Sequence, residues 1–327
     1  MSQKKIRIAI NGFGRIGRVF FRQAFNNPNF DIVAINDLGS KENLLYLLKH
    51  DSVYGIFEPE LGAIEFLSEN DPSRLPWKKL DVDIVVESTG AFTTFEKSKA
   101  HLDAGAKRVV ITAPAKDDVT PTATPNIGFK DIGEGRITSN ASCTTNATTP
   151  IVAIMMETLG VEKAVLSTIH GYTASQTLVD SPSSKDFRRG RAAAESFVPS
   201  ETGAAIATEK AIPAIAGKFD GVAIRVPVIT GSLADFTFVA KRKTSVEEVN
   251  RIFKDAEKKK DWQGILKTTD EPIVSRDIVG EPYGAIIDLN MTRVVDGDLV
   301  KVFSWYDNEW GYAAMLAKHI ETLAPYL

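Results

Sequence analysis

The chain has 327 residues, 43% of them hydrophobic and 25% charged, with 39 Lys and Arg against 42 Asp and Glu for a formal net charge of −3. That length buries enough surface for two domains, and the near balance of charge leaves no footprint for nucleic acid, the run Arg188-Arg189-Gly190-Arg191 being too short to change it. Four scattered histidines and one cysteine have no metal-ligand spacing, so neither a structural metal nor an iron–sulfur cluster is expected.

Met1 to Lys5 leads into only a short apolar stretch interrupted by Arg7, which predicts neither a signal peptide nor a membrane span and makes the cytoplasm the expected compartment. Ile6 to Ile10 reads as a strand, and the glycines of Gly12-Phe13-Gly14-Arg15-Ile16-Gly17 form a turn before a helical pattern from Arg18 to Phe25. A second strand, Phe30 to Asn36, ends at Asp37, about 20 residues past Gly17. Val82 to Glu87 and Arg108 to Thr112 are further strands, with helices expected near 41–49 and 93–104. Such alternation implies a parallel sheet covered by helices, because parallel strands need crossover connections.

A G-x-G-x-x-G string is common, but here it stands between a strand and a helix. Gly12 suits the tight turn, Gly14 the approach of a pyrophosphate, and Gly17 the packing of helix on strand, with the helix N-terminus facing the phosphates. Asp37 can accept hydrogen bonds from an adenosine ribose and would repel a 2′-phosphate, so NAD is expected over NADP. The alternative is a nucleotide-free sheet of the same kind in which Asp37 caps the next helix.

The single cysteine, Cys143, lies in the polar run Ser139 to Asn146, ahead of a helix expected from about Thr148 to Leu159. It has no internal disulfide partner, and the free N–H groups and positive dipole end of a helix start favour thiolate over thiol. A small buried apolar residue is the competing reading. Ala164 to Ile169 is a strand ending at His170, and the long polar segment that follows to about Pro199 is expected to be functional or interfacial. Beta runs at 222–230, 233–241, 285–292 and 299–306 suggest a mixed or antiparallel sheet. Ser245 and Glu248 make a capping-box signature for a helix to about Lys260, whose Lys258-Lys259-Lys260 is a solvated face.

These elements predict an α/β chain: an N-terminal Rossmann dinucleotide-binding domain over 1–142, an α+β catalytic domain with a mixed or antiparallel sheet over 143–308, and a C-terminal helix at 309–327 returning to the first domain. His170 alone reads equally as a hydrogen-bonded core histidine, but imidazole is also the usual partner of a nucleophilic thiol. A thiol pKa lowered from about 8.5 to about 6 raises the thiolate fraction at pH 7 from roughly 3% to roughly 90%. Beside NAD, such a thiolate can add to an aldehyde, with the oxyanion held by the Cys143 N–H and His170, and a thioester remains once hydride has left.

Ile10 to Arg18, Ser139 to Asn146, His170-Gly171-Tyr172-Thr173, Ile224-Arg225-Val226-Pro227 and Trp305 to Tyr312 together resemble the phosphorylating glyceraldehyde-3-phosphate dehydrogenase family over essentially the whole chain. The resemblance implies Cys143 as nucleophile and His170 as general base and oxyanion partner. It implies Thr173 and Arg225 as ligands of the substrate's own phosphate, and Ser142, Thr144, Thr202 and Gly203 as the site for attacking inorganic phosphate. For NAD it implies Arg15 and Ile16 at the pyrophosphate turn, Asp37 on the ribose, Thr112 near the adenosine half and Asn308 on the nicotinamide amide, with Leu38 and Pro182 fitting the NAD-preferring form. Glyceraldehyde 3-phosphate and inorganic phosphate are the implied substrates, and a homotetramer the implied assembly.

The chain departs from the family pattern at four places. Ala147 replaces a second cysteine, Glu201 stands just before Thr202-Gly203, Asn70 replaces an arginine before Asp71-Pro72, and the stretch 120–128 is more polar than usual. Glu201 facing inward would weaken phosphate binding, and the last two bear on cofactor affinity. Two other functions remain open at this point: an erythrose-4-phosphate dehydrogenase, in which the thioester is hydrolysed, and a catalytically idle NAD-binding interaction protein.

Overall fold

The computed structural model describes residues 4–129, 132–184 and 186–327, so Met1 to Gln3 of the N-terminal reading and Lys185 of the long polar segment lie outside the described residues. The chain divides into two compact units: one takes it up to Ala141 and resumes for Ala313–Leu327, the other is Ser142–Tyr312.

In the first unit β1 (Ile6–Asn11), α1 (Arg15–Ala24), β2 (Phe30–Asn36), α2 (Lys41–Lys49), β3 (His50–Asp51), β4 (Gly55–Ile56), β5 (Glu65–Leu67), β6 (Ile84–Glu87), α3 (Phe95–Asp103), β7 (Arg108–Ile111) and β8 (Ile137–Ser139) follow one another. Among the described residues the main sheet has the order β5-β2-β1-β6-β7-β8, with every pair parallel. β3 and β4 form a separate antiparallel ribbon. Strands β6 and β7 are buried along their whole length, as unbroken apolar runs must be when helices cover both faces. The order reverses at β1, and it is outside the carboxyl ends of the strands at such a point that open α/β sheets hold ligands.

In the second unit the elements are α4 (Cys143–Thr158), β9 (Val161–Gly171), β10 (Val198–Glu201), α5 (Ala204–Ala211), β11 (Phe219–Val226), β12 (Ser232–Ala240), α6 (Val246–Glu257), β13 (Leu266–Thr269), β14 (Ala285–Val295) and β15 (Leu299–Tyr306). The sheet order is β10-β11-β9-β12-β15-β14-β13. The β9–β11 and β13–β14 pairs are parallel and the others antiparallel, so the sheet is mixed. On β12 Ser232, Ala234, Phe236, Phe238 and Ala240 are buried in strict alternation, and the same face of β9 carries Leu166, Thr168 and His170.

Helix α4 starts at Cys143, five residues before the start the sequence predicts. The polar run Ser139 to Asn146 reads as lying ahead of the helix, but its residues from Cys143 onward are helical. In the fold Pro150 lies inside the helix, which is buried on all sides from Thr144 to Val152 and so is held by packing rather than propensity. Its cap is Ser142, whose Oγ accepts from Thr145 N at 3.1 Å.

Ser245 caps α6 by accepting from Glu248 N at 3.3 Å, but the Glu248 carboxylate turns to Arg242 at 3.0 Å instead of back to Ser245, so half the predicted capping box forms. The helix ends at Glu257, short of Lys260. Helix α7 (Trp310–Leu323) closes the chain, and from Ala313 onward it belongs to the first unit. There His319 Nε2 lies 3.0 Å from Thr138 Oγ1 of β8, and Glu321 accepts from Asn27 at 3.1 Å.

Candidate functional site

The first unit carries a cleft of about 310 Å³ lined by Asn11, Gly12, Gly14, Asp37, Leu38, Asn70 and Thr89, among others. Gly12 has φ +92°, and a Cβ there would fall 2.6 Å from Thr89 N, so no other residue fits. A Cβ on Gly17 would fall 2.2 Å from Gly12 O, whereas one on Gly14 would meet nothing within 4 Å. Two glycines thus let the turn and helix touch, and the third leaves open space. Asp37 braces this turn: its Oδ2 accepts from Phe13 N at 2.7 Å and its Oδ1 from Gly39 N at 2.8 Å. A carboxylate offers about four lone-pair sites, so capacity for a ribose hydroxyl remains.

Helix α1 has no side-chain cap and no acid in its first turn, so its leading N–H groups are left for an anion. Arg15 contributes backbone rather than charge to that turn, because its guanidinium is 2.5 Å from Asp51 Oδ2. Ile16 follows it in the first turn of α1 and is half-buried.

Thr112 stands apart from Asp37 in the sheet. It follows β7 and its Oγ1 donates to Glu87 O at 3.1 Å, while Asp37 follows β2; β1 and β6 lie between the two strands. Three inter-strand steps of about 4.8 Å put Thr112 roughly 14 Å along the sheet from Asp37. It is not among the residues lining the cleft.

Beneath the cleft runs a buried network that the sequence does not predict. Asn36 Nδ2 donates to Asn11 Oδ1 at 2.7 Å, and Asn11 Nδ2 donates to Glu87 Oε2 at 2.6 Å. Trp77 Nε1 can only donate, so at 3.0 Å it fixes His101 Nδ1 as an acceptor and leaves Nε2–H to donate to Glu87 Oε2 at 3.1 Å.

In the second unit Asn308 is fixed by its neighbours. Gly231 N donates to its Oδ1 at 3.2 Å and Ser232 Oγ does so at 2.7 Å, which assigns that atom as oxygen and leaves the NH₂ group as the donor for a ligand. The glycine turn, the uncapped start of α1 and Asp37 of the first unit fit NAD.

Cys143 Sγ lies 3.3 Å from His170 Nε2. The thiol is the first residue of α4 and the imidazole comes from the end of β9, so helix and sheet of one unit bring them together. On the other side of the ring, Arg225 Nη1 is 2.6 Å from Nδ1, as expected of direct partners across β9 and β11. Burial and the Arg225 charge depress the His170 pKa from 6.5 to about 3, so the ring is neutral at pH 7. Burial pushes the Cys143 thiol up, against the pull of the Arg225 charge and hydrogen bonds from Thr144. The thiol pKa is therefore raised rather than lowered as its position at a helix start suggests, because burial outweighs the helix end; the cation that opposes the rise is Arg225.

Tyr306 is a further member whose role the sequence leaves unread. Its hydroxyl is 2.9 Å from Thr144 Oγ1 and 2.7 Å from Thr168 Oγ1, its ring meets His170 edge-on at 5.9 Å, and burial pushes its pKa well up, so it stays protonated. Arg189, in the short turn Phe187–Gly190, is another: its charge is close enough to lower the Arg225 pKa. No signal in the local sequence marks either, since both act through partners far along the chain.

Ser142 spends its hydroxyl on Thr145 and Thr144 spends its own on Tyr306. Thr173 lies two residues past β9 with Oγ1 at 2.9 Å from Ser175 Oγ. Thr202 Oγ1 accepts from Ala204 N at 3.2 Å, and Gly203 caps α5 with open space where a Cβ would be. Glu201 is exposed, on the face of β10 opposite Ser200. Among the described residues no group of His, Cys, Asp and Glu could hold a metal, and no helix is long and apolar enough to cross a membrane.

Residues 6–95 match the family model for the NAD binding domain of glyceraldehyde 3-phosphate dehydrogenase, and residues 142–308 match the model for its C-terminal domain. The glyceraldehyde-3-phosphate dehydrogenase of Zymomonas mobilis is 44% identical over 322 residues, covering 94% of this chain and 95% of that protein. That of Streptomyces coelicolor is 44% identical over 324 residues, covering 95% and 96%. Glyceraldehyde-3-phosphate dehydrogenase 2 of Bacillus subtilis is 43% identical over 332 residues, covering 98% and 97%. The chain thus belongs to the glyceraldehyde 3-phosphate dehydrogenase family, in both its NAD-binding and its C-terminal domain.

Proposed function

We infer that the chain oxidises D-glyceraldehyde 3-phosphate with NAD and traps the acyl group with inorganic phosphate, giving 1,3-bisphosphoglycerate through a thioester on Cys143. The observation that carries this reading is the 3.3 Å approach of Cys143 Sγ to His170 Nε2, with Arg225 against the other ring nitrogen: a nucleophile, a proton carrier and an anion ligand in one place. NAD, held by the Gly12–Gly17 turn, Asp37 and the Asn308 amide, supplies the hydride acceptor when bound.

Sγ adds to the aldehyde carbon as the carbonyl π electrons move to oxygen, and the oxygen takes the proton that the thiol gives up, which makes the thiohemiacetal. His170 Nε2 then accepts that hydroxyl proton as the carbon gives up its hydride, and the thioester remains. Being neutral at pH 7, the ring is in the protonation state this step needs. A phosphate oxygen attacks the thioester carbon, the C–S bond breaks, and the thiolate leaves.

We assign the substrate's own phosphate to Arg225 and Thr173, Arg225 having a planar fork that suits it. The attacking phosphate goes to Ser142, Thr144, Thr202 and Gly203, where an outward Glu201 does not oppose it. Val165 on β9 and Val222 on β11, 58% and 51% exposed, share the sheet face opposite His170 and support a homotetramer. A free catalytic thiol suits the reducing cytoplasm.

NADH formation from glyceraldehyde 3-phosphate and from erythrose 4-phosphate, each with and without inorganic phosphate, tests this reading. Rapid turnover of the three-carbon substrate that depends on phosphate is expected. Oxidation indifferent to phosphate, or a preference for the four-carbon aldehyde, would overturn it.

A further inference from the structure

His170 Nδ1 has two neighbours at 2.6 Å that make opposite demands, Gly171 O and Arg225 Nη1. A carbonyl oxygen only accepts and a guanidinium only donates. With a hydrogen on Nδ1 the ring donates to Gly171 O, but Arg225 then meets it N–H against N–H. With Nδ1 bare, its lone pair faces Gly171 O, but Arg225 donates to Nδ1 and also reaches that oxygen at 3.3 Å, so one cationic donor bridges the two acceptors and its full charge outweighs their mutual repulsion. The second arrangement is the one compatible with Arg225 where it stands.

A neutral imidazole carries one N–H, so the choice at Nδ1 decides Nε2 as well. With Arg225 in place, Nε2 bears the hydrogen and donates to Cys143 Sγ, which steadies the sulfur but leaves no lone pair to take a proton. Two features suit Arg225 to an incoming anion: among the described residues no carboxylate is among the groups acting on it while the Arg189 charge is near, and its register opposite His170 keeps it within reach of the ring.

We propose that Arg225 is a positioning residue that selects the His170 tautomer, and that a substrate phosphate reverses the selection by drawing the guanidinium off Nδ1. This rests on the reading in which Arg225 holds the substrate's phosphate. Once it does, one proton passes from Nε2 to water and one arrives at Nδ1 from water, so the ring stays neutral. Nδ1–H then donates to Gly171 O, and the Nε2 lone pair faces the reacting atoms. The base forms only when a phosphate-bearing aldehyde is in place, so discrimination against unphosphorylated aldehydes lies in kcat and not only in KM.

The test is nitrogen NMR on the full chain labelled with 15N-histidine, with His170 assigned through the His170→Asn variant. The probe is glycerol 3-phosphate, which has the phosphate but no reactive aldehyde, and its binding is followed by 31P line broadening in the same sample. Without it the bare ring nitrogen is expected to be Nδ1; with it bound, Nε2. Arg225→Met is expected to give bare Nε2 with and without the probe. A bound probe that leaves Nδ1 bare, failure of the probe to bind, or an Arg225→Met protein with bare Nδ1 overturns the proposal. If Arg225→Met does not fold, the wild-type titration decides alone. NADH formation by the same wild-type sample separates the two readings: an active enzyme whose tautomer does not move rejects the relay while leaving the thioester chemistry standing, and an inactive one rejects both.

Discussion

Cys143 Sγ and His170 Nε2 stand 3.3 Å apart, yet the cation nearest the pair is Arg225, not the imidazole. Removing that charge should therefore cost thiolate. Arg225→Met is expected to slow iodoacetamide alkylation of Cys143 at pH 7 by about tenfold, the effect of about one unit in the thiol pKa. An unchanged alkylation rate would show that another group favours the thiolate.

Two buried imidazoles tie stability to pH. The pKa of His170 is depressed from 6.5 to about 3, and that of His319 from 6.5 to about 4, in both cases chiefly by burial. Each ring stays neutral in the fold but gains a proton on unfolding once the pH is below 6.5, so the stability it supplies is complete above 6.5 and is lost as the pH falls toward the folded value. Between about pH 6 and pH 5 each should contribute a slope of about 1 kcal/mol per pH unit, and below that the His319 share fades as the ring protonates in the fold. Urea midpoints across that range check it, and His319→Asn should remove about half of the histidine slope.

The glycine turn separates stability from binding. Gly17→Ala places a Cβ 2.2 Å from Gly12 O and should destabilise the fold by about 1–3 kcal/mol, read as a lower Tm. Gly14→Ala meets nothing within 4 Å, so Tm should hold while NAD affinity falls, because the methyl group enters the space left for the cofactor. Thermal melts with and without NAD distinguish the two variants.

Asp37 both braces the turn and presents a carboxylate to the cleft. Asp37→Ala should weaken NAD by about tenfold or more, as expected when a charged hydrogen-bond acceptor is lost, and should narrow the preference over NADP. Fluorescence titrations with both cofactors measure this, and unaltered selectivity would remove Asp37 from the ribose.

What could be read from the sequence was local. Strand, glycine turn and helix at 6–25 follow from apolar runs and three glycines, and they are found as β1 and α1. The polar string around Cys143 marks the thiol but hides the helix start, because polar residues that read as a loop are held in the helix by burial on all sides. The distance of Thr112 from Asp37 was not legible, because strand order depends on how crossovers lie, which no residue near 112 encodes. His101 with Glu87, Tyr306 with Thr144, and Arg189 with Arg225 were silent for the same reason: each residue is ordinary until a distant partner arrives.

The most direct measurement is the intact mass of the protein after mixing with glyceraldehyde 3-phosphate and NAD in the absence of inorganic phosphate. The account predicts one phosphoglyceroyl adduct per chain, located on Cys143 by peptide mapping, absent from Cys143→Ala, and discharged when phosphate is added. No adduct under rapid NADH formation, or NADH formation by Cys143→Ala, would contradict it.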